Sequence, residues 1–171
     1  MNKCFFLDRD GVIIKDRKNI YKINDIFFLP GVFEALKELK NRNYLIILIT
    51  NQSVVGRGII SENDLNKFHS FIYDKLYKRT KLKLIDETYF CPHHPTRGIG
   101  KYKIKCKCRK PGNKMLEDAI SKWNINRKMS YMIGDKFSDY LASKKSKIKF
   151  YYKNNNNFKN QILKILNEKS N

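Results

Sequence analysis

The sequence has little negative charge and no long apolar run, and both absences limit what the protein can be. None of its apolar runs approaches the roughly 18 residues that a membrane-spanning helix needs. The first residues also lack an apolar signal segment followed by a small-residue cleavage site, so a cytoplasmic location is expected. Hydrophobic residues nevertheless make up 42% of the 171 residues, which indicates a single globular domain over residues 1–171.

The scarcity of acidic residues leaves 36 lysines and arginines against 16 aspartates and glutamates, a formal net charge of +20. Such a charge is typical of proteins that bind nucleic acid. The lysines are spread along the chain and form no single block, however, which favours a compositional origin of the charge over a nucleic-acid partner. A small acidic substrate is compatible with either interpretation, and no membrane partner is expected.

Short apolar runs alternate with helical patterns along the chain. One run, YLIILIT, is continuous, as expected of a parallel strand that is buried on both faces. The pattern predicts strands at residues 4–7, 44–50, 88–90, 130–133 and 148–152. It predicts helices at residues 32–41, 62–79, 113–124 and 137–145. A helical apolar stripe near the C-terminus, which includes Phe158 and Ile162, is expected to cover the core. This order predicts an α/β fold with a Rossmann-like, doubly wound, mainly parallel sheet.

Polar and reactive residues follow the predicted strands at the ends where open α/β sheets bind ligands. Asp8 and Asp10 follow the first strand, TNQS follows the second, and Asp135 follows the fourth. Because the carboxyl ends of parallel strands meet at one edge of the sheet, these carboxylates are expected to converge. Carboxylates that lie close together repel one another unless a hard cation lies between them, which predicts a Mg2+ site.

Three of the four cysteines, Cys91, Cys106 and Cys108, lie with two histidines in one segment of low apolar content. In a cytoplasmic chain this grouping indicates a metal site rather than disulfides. Cys91-x-His93 and Cys106-x-Cys108 offer one nitrogen and three sulfurs, a set suited to tetrahedral Zn2+, with His94 as the alternative nitrogen ligand. Four ligands fill the coordination sphere, so the zinc is expected to be structural and to staple the loop at about residues 91–110.

Four motifs, in this order, carry a family resemblance: FLDRDGVI, ILITNQS, CRKP and MIGDKFSD. Over roughly residues 4–145 the chain resembles the haloacid dehalogenase-like phosphatases, Mg2+-dependent enzymes that pass through an aspartyl-phosphate. CPHHP followed by CKCRKP resembles their zinc-bearing branch, which contains the heptose-bisphosphate and histidinol-phosphate phosphatases. TNQS, GDK and the long loop between the two halves of the zinc motif favour the heptose-bisphosphate family. The resemblance also assigns His93, and not His94, as the zinc ligand.

The resemblance implies a role for each motif residue. Asp8 would be the nucleophile that attacks phosphorus, and Asp10 would protonate the leaving alkoxide and then activate water. Asp8 and Asp135 would supply carboxylate oxygens to Mg2+, and Asp10 its backbone carbonyl. Thr50 and Lys110 would each hold a nonbridging phosphoryl oxygen. The residues expected to line the substrate site are Asp16, Asn51, Gln52, Ser53, Arg57, Arg109 and Lys136.

Residues beside these side chains are expected to serve the backbone or the surface. Arg9 is the spacer that lets Asp8 and Asp10 face one phosphoryl group, and Gly11 lets the chain turn away without a side-chain clash. His69 lies in a helical pattern far from the cysteines, and an ordinary surface or helix-face position is expected for it.

No large insertion follows either of the first two motifs, so the resemblance implies a nearly capless, monomeric enzyme with an open site. The expected reaction removes the 7-phosphate of heptose 1,7-bisphosphate, a small phosphorylated sugar, on the route to the lipopolysaccharide core. Histidinol-phosphate phosphatase is the alternative enzyme. A zinc-stapled protein that binds nucleic acid, or removes phosphate from its ends, is the alternative from another class, motivated by the charge.

Overall fold

The computed structural model describes residues 1–17, 21–154 and 157–168. Five parallel strands form one sheet in these residues: β1 (Cys4–Leu7), β2 (Leu45–Asn51), β3 (Glu87–Cys91), β4 (Tyr131–Gly134) and β5 (Lys149–Tyr152). Their order across the sheet is β3-β2-β1-β4-β5, so the chain winds outward from β1 in both directions. The expected doubly wound, parallel sheet is therefore confirmed, and its switch point lies beside β1.

Six α-helices accompany these strands in the described ranges: α1 (Val32–Asn41), α2 (Ser53–Gly56), α3 (Glu62–Thr80), α4 (Lys114–Lys122), α5 (Phe137–Lys145) and α6 (Phe158–Asn167). α1 and α5 have the predicted bounds, and the other predicted elements begin and end within two residues of prediction. α3 begins at a capping box in which Ser61 and Asp64 bond each other's backbone. The pattern missed α2 because a single helical turn is too short to show a period.

Side chains of β1 alternate between two faces of the sheet, and each face has its own core. Phe5 and Leu7 belong to the cluster that α1, α3 and α6 cover, whereas Cys4 and Phe6 belong to the cluster that α4 and α5 cover. All four residues are fully buried, which explains why the sequence of β1 is apolar without a break. The stripe of α6 is buried in the first cluster, so its predicted position over the core is confirmed.

The register of the sheet brings the ends of the central strands together. Leu7, the last residue of β1, pairs with Leu48 in β2 and with Ile133 in β4. Asp8 follows directly, and its backbone N–H donates to the Ile133 carbonyl at 3.0 Å. Residues that follow β1 and β4, and the last residues of β2, therefore meet at one edge of the sheet.

The segment between β3 and α4 has little regular structure beyond a short 3-10 turn at Gly100–Tyr102. Among the helices of the described residues, none has both the length and the apolar character needed to cross a membrane. The single domain over residues 1–171 stays a prediction, and its last residues, 169–171, lie outside the described part of the chain.

Candidate active site

Asp8, the first residue after β1, lies at the centre of the site. It is buried, with 4% of its surface exposed, and its Oδ2 lies 3.0 Å from the Nζ of Lys110. Burial raises the pKa of Asp8 to about 6, against the lowering effect of the Lys110 charge. The ion pair thus holds the carboxylate in place and favours its ionised form.

Lys110 connects two carboxylates and the end of β2. Its Nζ lies 2.6 Å from Oδ1 of Asp139, in addition to its contact with Asp8, and donates to the Ile49 carbonyl at 2.7 Å. Burial acts to lower the pKa of Lys110, but the two carboxylates outweigh it and raise the pKa. Sequence reasoning did not place Asp139 among the site residues, although it lies in the MIGDKFSD motif. Oδ2 of Asp139 accepts the backbone N–H of Lys136 at 3.0 Å, whereas its buried Oδ1 forms the ion pair with Lys110 and accepts no hydrogen bond among the described residues.

Asn51 fixes the backbone of Lys110. Its side-chain Oδ1 accepts the Lys110 N–H at 3.0 Å, and its Nδ2 donates to the Lys110 carbonyl at 3.1 Å. Sequence reasoning expected Asn51 in the substrate site. It does lie at the cleft, but its amide is engaged in holding the lysine loop against β2.

Carboxylate oxygens of Asp8, Asp135 and Asp139 all lie within 4.8 Å of one another. Oδ1 of Asp135 is buried and has no hydrogen-bond partner among the described residues. Burial raises the pKa of Asp135. A Cβ on Gly11 would lie 2.3 Å from Oδ2 of Asp135, so the loop after β1 approaches this carboxylate as closely as only glycine permits. A buried carboxylate oxygen without a donor, beside a second carboxylate, suits a hard cation such as Mg2+.

Asp10 is held by two neighbours. Arg9 forms a bidentate salt bridge with Asp10, which we call the fork: Nε donates to Oδ1 at 2.8 Å and Nη2 donates to Oδ2 at 2.9 Å. The Nε2 of Gln52 donates to Oδ2 of Asp10 at 3.0 Å and to Oγ1 of Thr50 at 2.9 Å. Burial acts to raise the pKa of Asp10, but the Arg9 guanidinium outweighs it and holds the pKa below its usual range. Asp10 and Thr50 are therefore linked through one side chain, as their expected roles on one phosphoryl group require.

Arg9 is fully buried and is much more than a spacer. Its guanidinium carbon lies 4.8 Å from the centre of the Phe68 ring, and its Nη1 lies 3.1 Å from Nε2 of His69. Of the two positions expected for His69, the surface position was wrong, because the residue is 4% exposed; it lies on the buried face of the helix α3 and contacts Arg9. Sequence reasoning missed both residues because charged and polar side chains are usually exposed.

A cleft of about 550 Å³ opens over these groups. All the residues expected to contact substrate line it: Asp16, Asn51, Gln52, Ser53, Arg57, Arg109 and Lys136. Asp10 and Lys110 reach the same cleft, and Arg97 and Ser138 line it without having been predicted. Lys136 pairs with Asp16 at 2.9 Å. The cations around this mouth suit an anionic substrate.

The four expected zinc ligands also come together. The sulfurs of Cys91, Cys106 and Cys108 lie 3.0–3.5 Å apart, and Nδ1 of His93 lies 3.5 Å from the Cys91 sulfur and 3.3 Å from the Cys108 sulfur. Nδ1 of His94 instead accepts the backbone N–H of Arg97 at 3.1 Å. The four atoms converge closely enough to share one ion, and a set of one nitrogen and three sulfurs suits tetrahedral Zn2+.

The cluster of Cys91, His93, Cys106 and Cys108 is joined directly to the cleft. Arg109 and Lys110 follow Cys108 in the chain. Nη1 of Arg109 donates to the His93 carbonyl at 3.0 Å. The position of the two cations therefore depends on the loop that the cysteines and His93 hold.

Comparison with known proteins agrees with this geometry. The family model described as polynucleotide kinase 3 phosphatase matches residues 3–162. The D-glycero-beta-D-manno-heptose-1,7-bisphosphate 7-phosphatase of Haemophilus ducreyi is 40% identical over 147 residues, which cover 86% of this chain and 80% of that protein.

Solved structures show the same fold. A protein of Mesorhizobium loti described as HAD-like phosphatase superposes with a TM-score of 0.80 at 25% identity, over 86% of this chain and 69% of that one. The D,D-heptose 1,7-bisphosphate phosphatase from B. bronchiseptica, complexed with magnesium and phosphate, has a TM-score of 0.77 at 23% identity, over 97% of this chain and 99% of that one.

The parallel sheet, the paired aspartates after β1 and the buried lysine define a phosphatase of the haloacid dehalogenase-like class. Within that class the chain belongs to the polynucleotide kinase 3 phosphatase family, alongside relatives that are heptose-bisphosphate phosphatases.

Proposed function

We propose that this protein is a Mg2+-dependent phosphomonoesterase that removes the 7-phosphate of D-glycero-D-manno-heptose 1,7-bisphosphate through an aspartyl-phosphate. The observation that carries the proposal is the buried ion pair of Asp8 with Lys110, a lysine that also lines a cationic cleft. A carboxylate fixed beside an ammonium can attack a phosphoryl group whose negative charge the ammonium also stabilises.

Asp8 attacks phosphorus, and the bond from phosphorus to the sugar oxygen breaks. Asp10 donates its proton to that oxygen and later accepts one from the water that hydrolyses the aspartyl-phosphate. Arg9 favours the ionised form of Asp10 in the free site, whereas a bound dianionic phosphate favours the protonated form, because like charges repel. Binding of substrate therefore prepares Asp10 to act as an acid.

Thr50 and Lys110 hold the phosphoryl oxygens. Gln52 donates to Oγ1 of Thr50, so the hydroxyl hydrogen of Thr50 remains available for donation to substrate. Asn51 holds the backbone of Lys110 and Asp139 holds its ammonium, so Lys110 donates from one fixed position. Fixed donors of this kind stabilise the transition state without having to reorganise.

Mg2+ would be held by the carboxylates of Asp8 and Asp135 and by the backbone carbonyl of Asp10. When bound, the cation offsets the repulsion between the nucleophile and the phosphate. Support comes from the buried Asp135 oxygen without a donor and from the magnesium in the B. bronchiseptica relative.

Zn2+ would be held by Cys91, His93, Cys106 and Cys108 and would be structural, since the four ligands leave no open position. Its effect on the reaction is indirect. The loop it closes carries Arg109 and Lys110, and the Arg109 bond to the His93 carbonyl ties the cleft to the zinc site.

The sugar substrate is proposed because the relatives of this chain are heptose-bisphosphate phosphatases and because the cleft has the size and the positive charge to bind a small phosphorylated sugar. In this role the enzyme acts in the cytoplasm, as a monomer, in synthesis of the lipopolysaccharide core. A second candidate is removal of phosphate from nucleic-acid ends, which is favoured by the charge of +20 and by the description of the matching family model.

The test is phosphate release, with Mg2+, from heptose 1,7-bisphosphate, histidinol phosphate and a 3'-phosphorylated oligonucleotide. Asp8→Asn is the matched blank, because it keeps the size of the side chain and removes the nucleophile. The proposal expects strong preference for the bisphosphate and no turnover by the variant. Preference for the oligonucleotide would replace the substrate assignment, and equal release by Asp8→Asn would refute the mechanism.

A further inference from the structure

A buried set of side chains lies behind the acid–base carboxylate and includes a histidine that the mechanism does not use. We propose that His69 is a positioning residue for Asp10 and acts through the guanidinium of Arg9. The inference rests on the proposed function, in which Asp10 is the general acid.

Arg9 engages three different partners with its single guanidinium. Nε and Nη2 form the fork with Asp10, Nη1 lies 3.1 Å from Nε2 of His69, and the planar face lies against the Phe68 ring. A guanidinium has five N–H donors, and a fully buried one is stable only where acceptors meet those donors. His69 thus completes the set of contacts that fixes the plane of the fork.

The contact also determines the state of the histidine. Because a guanidinium can only donate, Nε2 of His69 must be the unprotonated nitrogen, and the neutral ring carries its hydrogen on Nδ1. Burial lowers the pKa of His69 to about 3, with the Arg9 charge acting in the same direction. The ring therefore stays a neutral acceptor at the pH at which phosphatases work. This state suits a positioning residue, whereas a residue that transfers protons would have to change its protonation state.

His69 connects Asp10 to a distant element. It lies on α3, sixty residues after Arg9, so the contact ties the loop after β1 to a long helix packed on the sheet. Without this acceptor a buried donor of Arg9 would be left unpaired, and the guanidinium would turn toward another acceptor. Asp10 would move with the fork, and small displacements of a catalytic group reduce the rate steeply.

The experiment compares three substitutions that differ in reach. His69→Gln places an amide oxygen near the position of Nε2. The side chain in His69→Asn carries the same group but is too short to reach Arg9, and His69→Leu removes the acceptor. Each variant is assayed with Mg2+ on heptose 1,7-bisphosphate, whose alkoxide needs a proton, and on 4-nitrophenyl phosphate, whose phenolate leaves without one. The rate compared is leaving-group release in a single turnover, because the later hydrolysis of the aspartyl-phosphate, in which Asp10 is the base, is common to both substrates.

For His69→Leu and His69→Asn, this single-turnover rate on the sugar bisphosphate is expected to fall about tenfold, because general acid catalysis weakens. KM should change by less than about twofold, since His69 does not line the cleft. On 4-nitrophenyl phosphate the same rate should stay within about twofold, and His69→Gln should resemble wild type on both substrates. If His69→Leu does not fold, the comparison of Asn with Gln decides.

Tyr73→Phe is the matched control. Tyr73 stacks near His69, with ring centres 6.5 Å apart, and its hydroxyl bonds Thr88 at 2.6 Å, so the variant disturbs the same helix without touching Arg9. It is expected to leave the ratio of the two substrate rates unchanged. Equal loss on both substrates in the His69 variants, or no loss on either, would mean that His69 only packs and would overturn the inference.

Asp10→Asn separates this inference from the proposed function. If Asp10→Asn loses far more activity on the sugar bisphosphate than on 4-nitrophenyl phosphate while the His69 variants do not, the positioning role alone fails. If Asp10→Asn shows no such difference, Asp10 is not the acid and both fail. A double variant gives a second readout, because His69→Asn should lower the single-turnover rate in wild type but not in Asp10→Asn.

Discussion

Replacement of Lys110 by methionine is expected to destabilise the protein strongly as well as inactivate it. Its ammonium is buried and lies 3.0 Å from Asp8 and 2.6 Å from Asp139, neither of which is more than 6% exposed at the side chain. Methionine fills nearly the same volume, so packing changes little. The loss is therefore electrostatic, and removal of one partner from a buried ion pair costs about 3–5 kcal/mol.

This free energy is large enough to measure by thermal unfolding. For a chain of this length each kcal/mol lowers the melting temperature by about 2–4 °C, so the loss of about 3–5 kcal/mol should make Lys110→Met melt about 6–20 °C below wild type. Lys114→Met is the matched control, because Lys114 pairs with Asp118 at 2.8 Å but both side chains are exposed. An exposed helical pair contributes about 0.5 kcal/mol or less.

Both variants would be followed by circular dichroism at pH 7.5 without added Mg2+, since a bound cation would partly replace the missing charge. Addition of Asp139→Asn to Lys110→Met should restore part of the stability, because it removes one of the two unpaired carboxylates. If Lys110→Met melted at the same temperature as Lys114→Met, the buried ion pairs would not hold this site together.

Three further predictions concern the metal sites and pH. Purified protein should contain about one zinc per chain, and Cys108→Ala should lose that zinc and have a lower melting temperature. A stably folded wild type without zinc would contradict a structural zinc site in this loop. Gly11→Ala should weaken Mg2+ binding measured by calorimetry, because its Cβ would meet Asp135, whereas Gly100→Ala, also at positive φ but with no atom within 4 Å, should not. Folding lowers the pKa of His69 from 6.5 to about 3. Between these two pH values the unfolded chain binds more protons than the folded protein. The contribution of His69 to the free energy of unfolding is therefore complete above about pH 6.5 and is lost as the pH falls below it. In urea unfolding between pH 4 and 7, His69→Gln should therefore reduce the slope of unfolding free energy by up to about 1.4 kcal/mol per pH unit, and identical slopes would contradict this burial.

Local patterns were sufficient for the sheet and for the motif residues. The apolar run before Asp8 predicted β1 with its correct bounds, since a central parallel strand must be apolar on both faces. The alternation of strands and helices predicted which residues meet at the carboxyl edge. The Cys-x-His and Cys-x-Cys spacings predicted that Cys91, His93, Cys106 and Cys108 come together, because side chains so close in sequence need little help from the fold to converge.

The contacts that hold Lys110 in place depend on packing between segments that are distant in the sequence. Asn51 was predicted at the cleft, but its two bonds to the Lys110 backbone follow from the way the lysine loop lies against β2. Asp139 belongs to a recognised motif, yet its contact with Lys110 requires α5 and the loop after the cysteines to meet.

Arg9 and His69 show most clearly which contacts cannot be predicted from the sequence. By sequence alone the motif predicts that Asp8 and Asp10 lie in one turn after β1 and face one phosphoryl group, because that arrangement needs only neighbouring residues. A lone arginine and a lone histidine are usually exposed, so nothing local distinguishes a buried pair of them. Only the packing of α3 against the end of β1 places the two side chains 3.1 Å apart and makes them the support of Asp10.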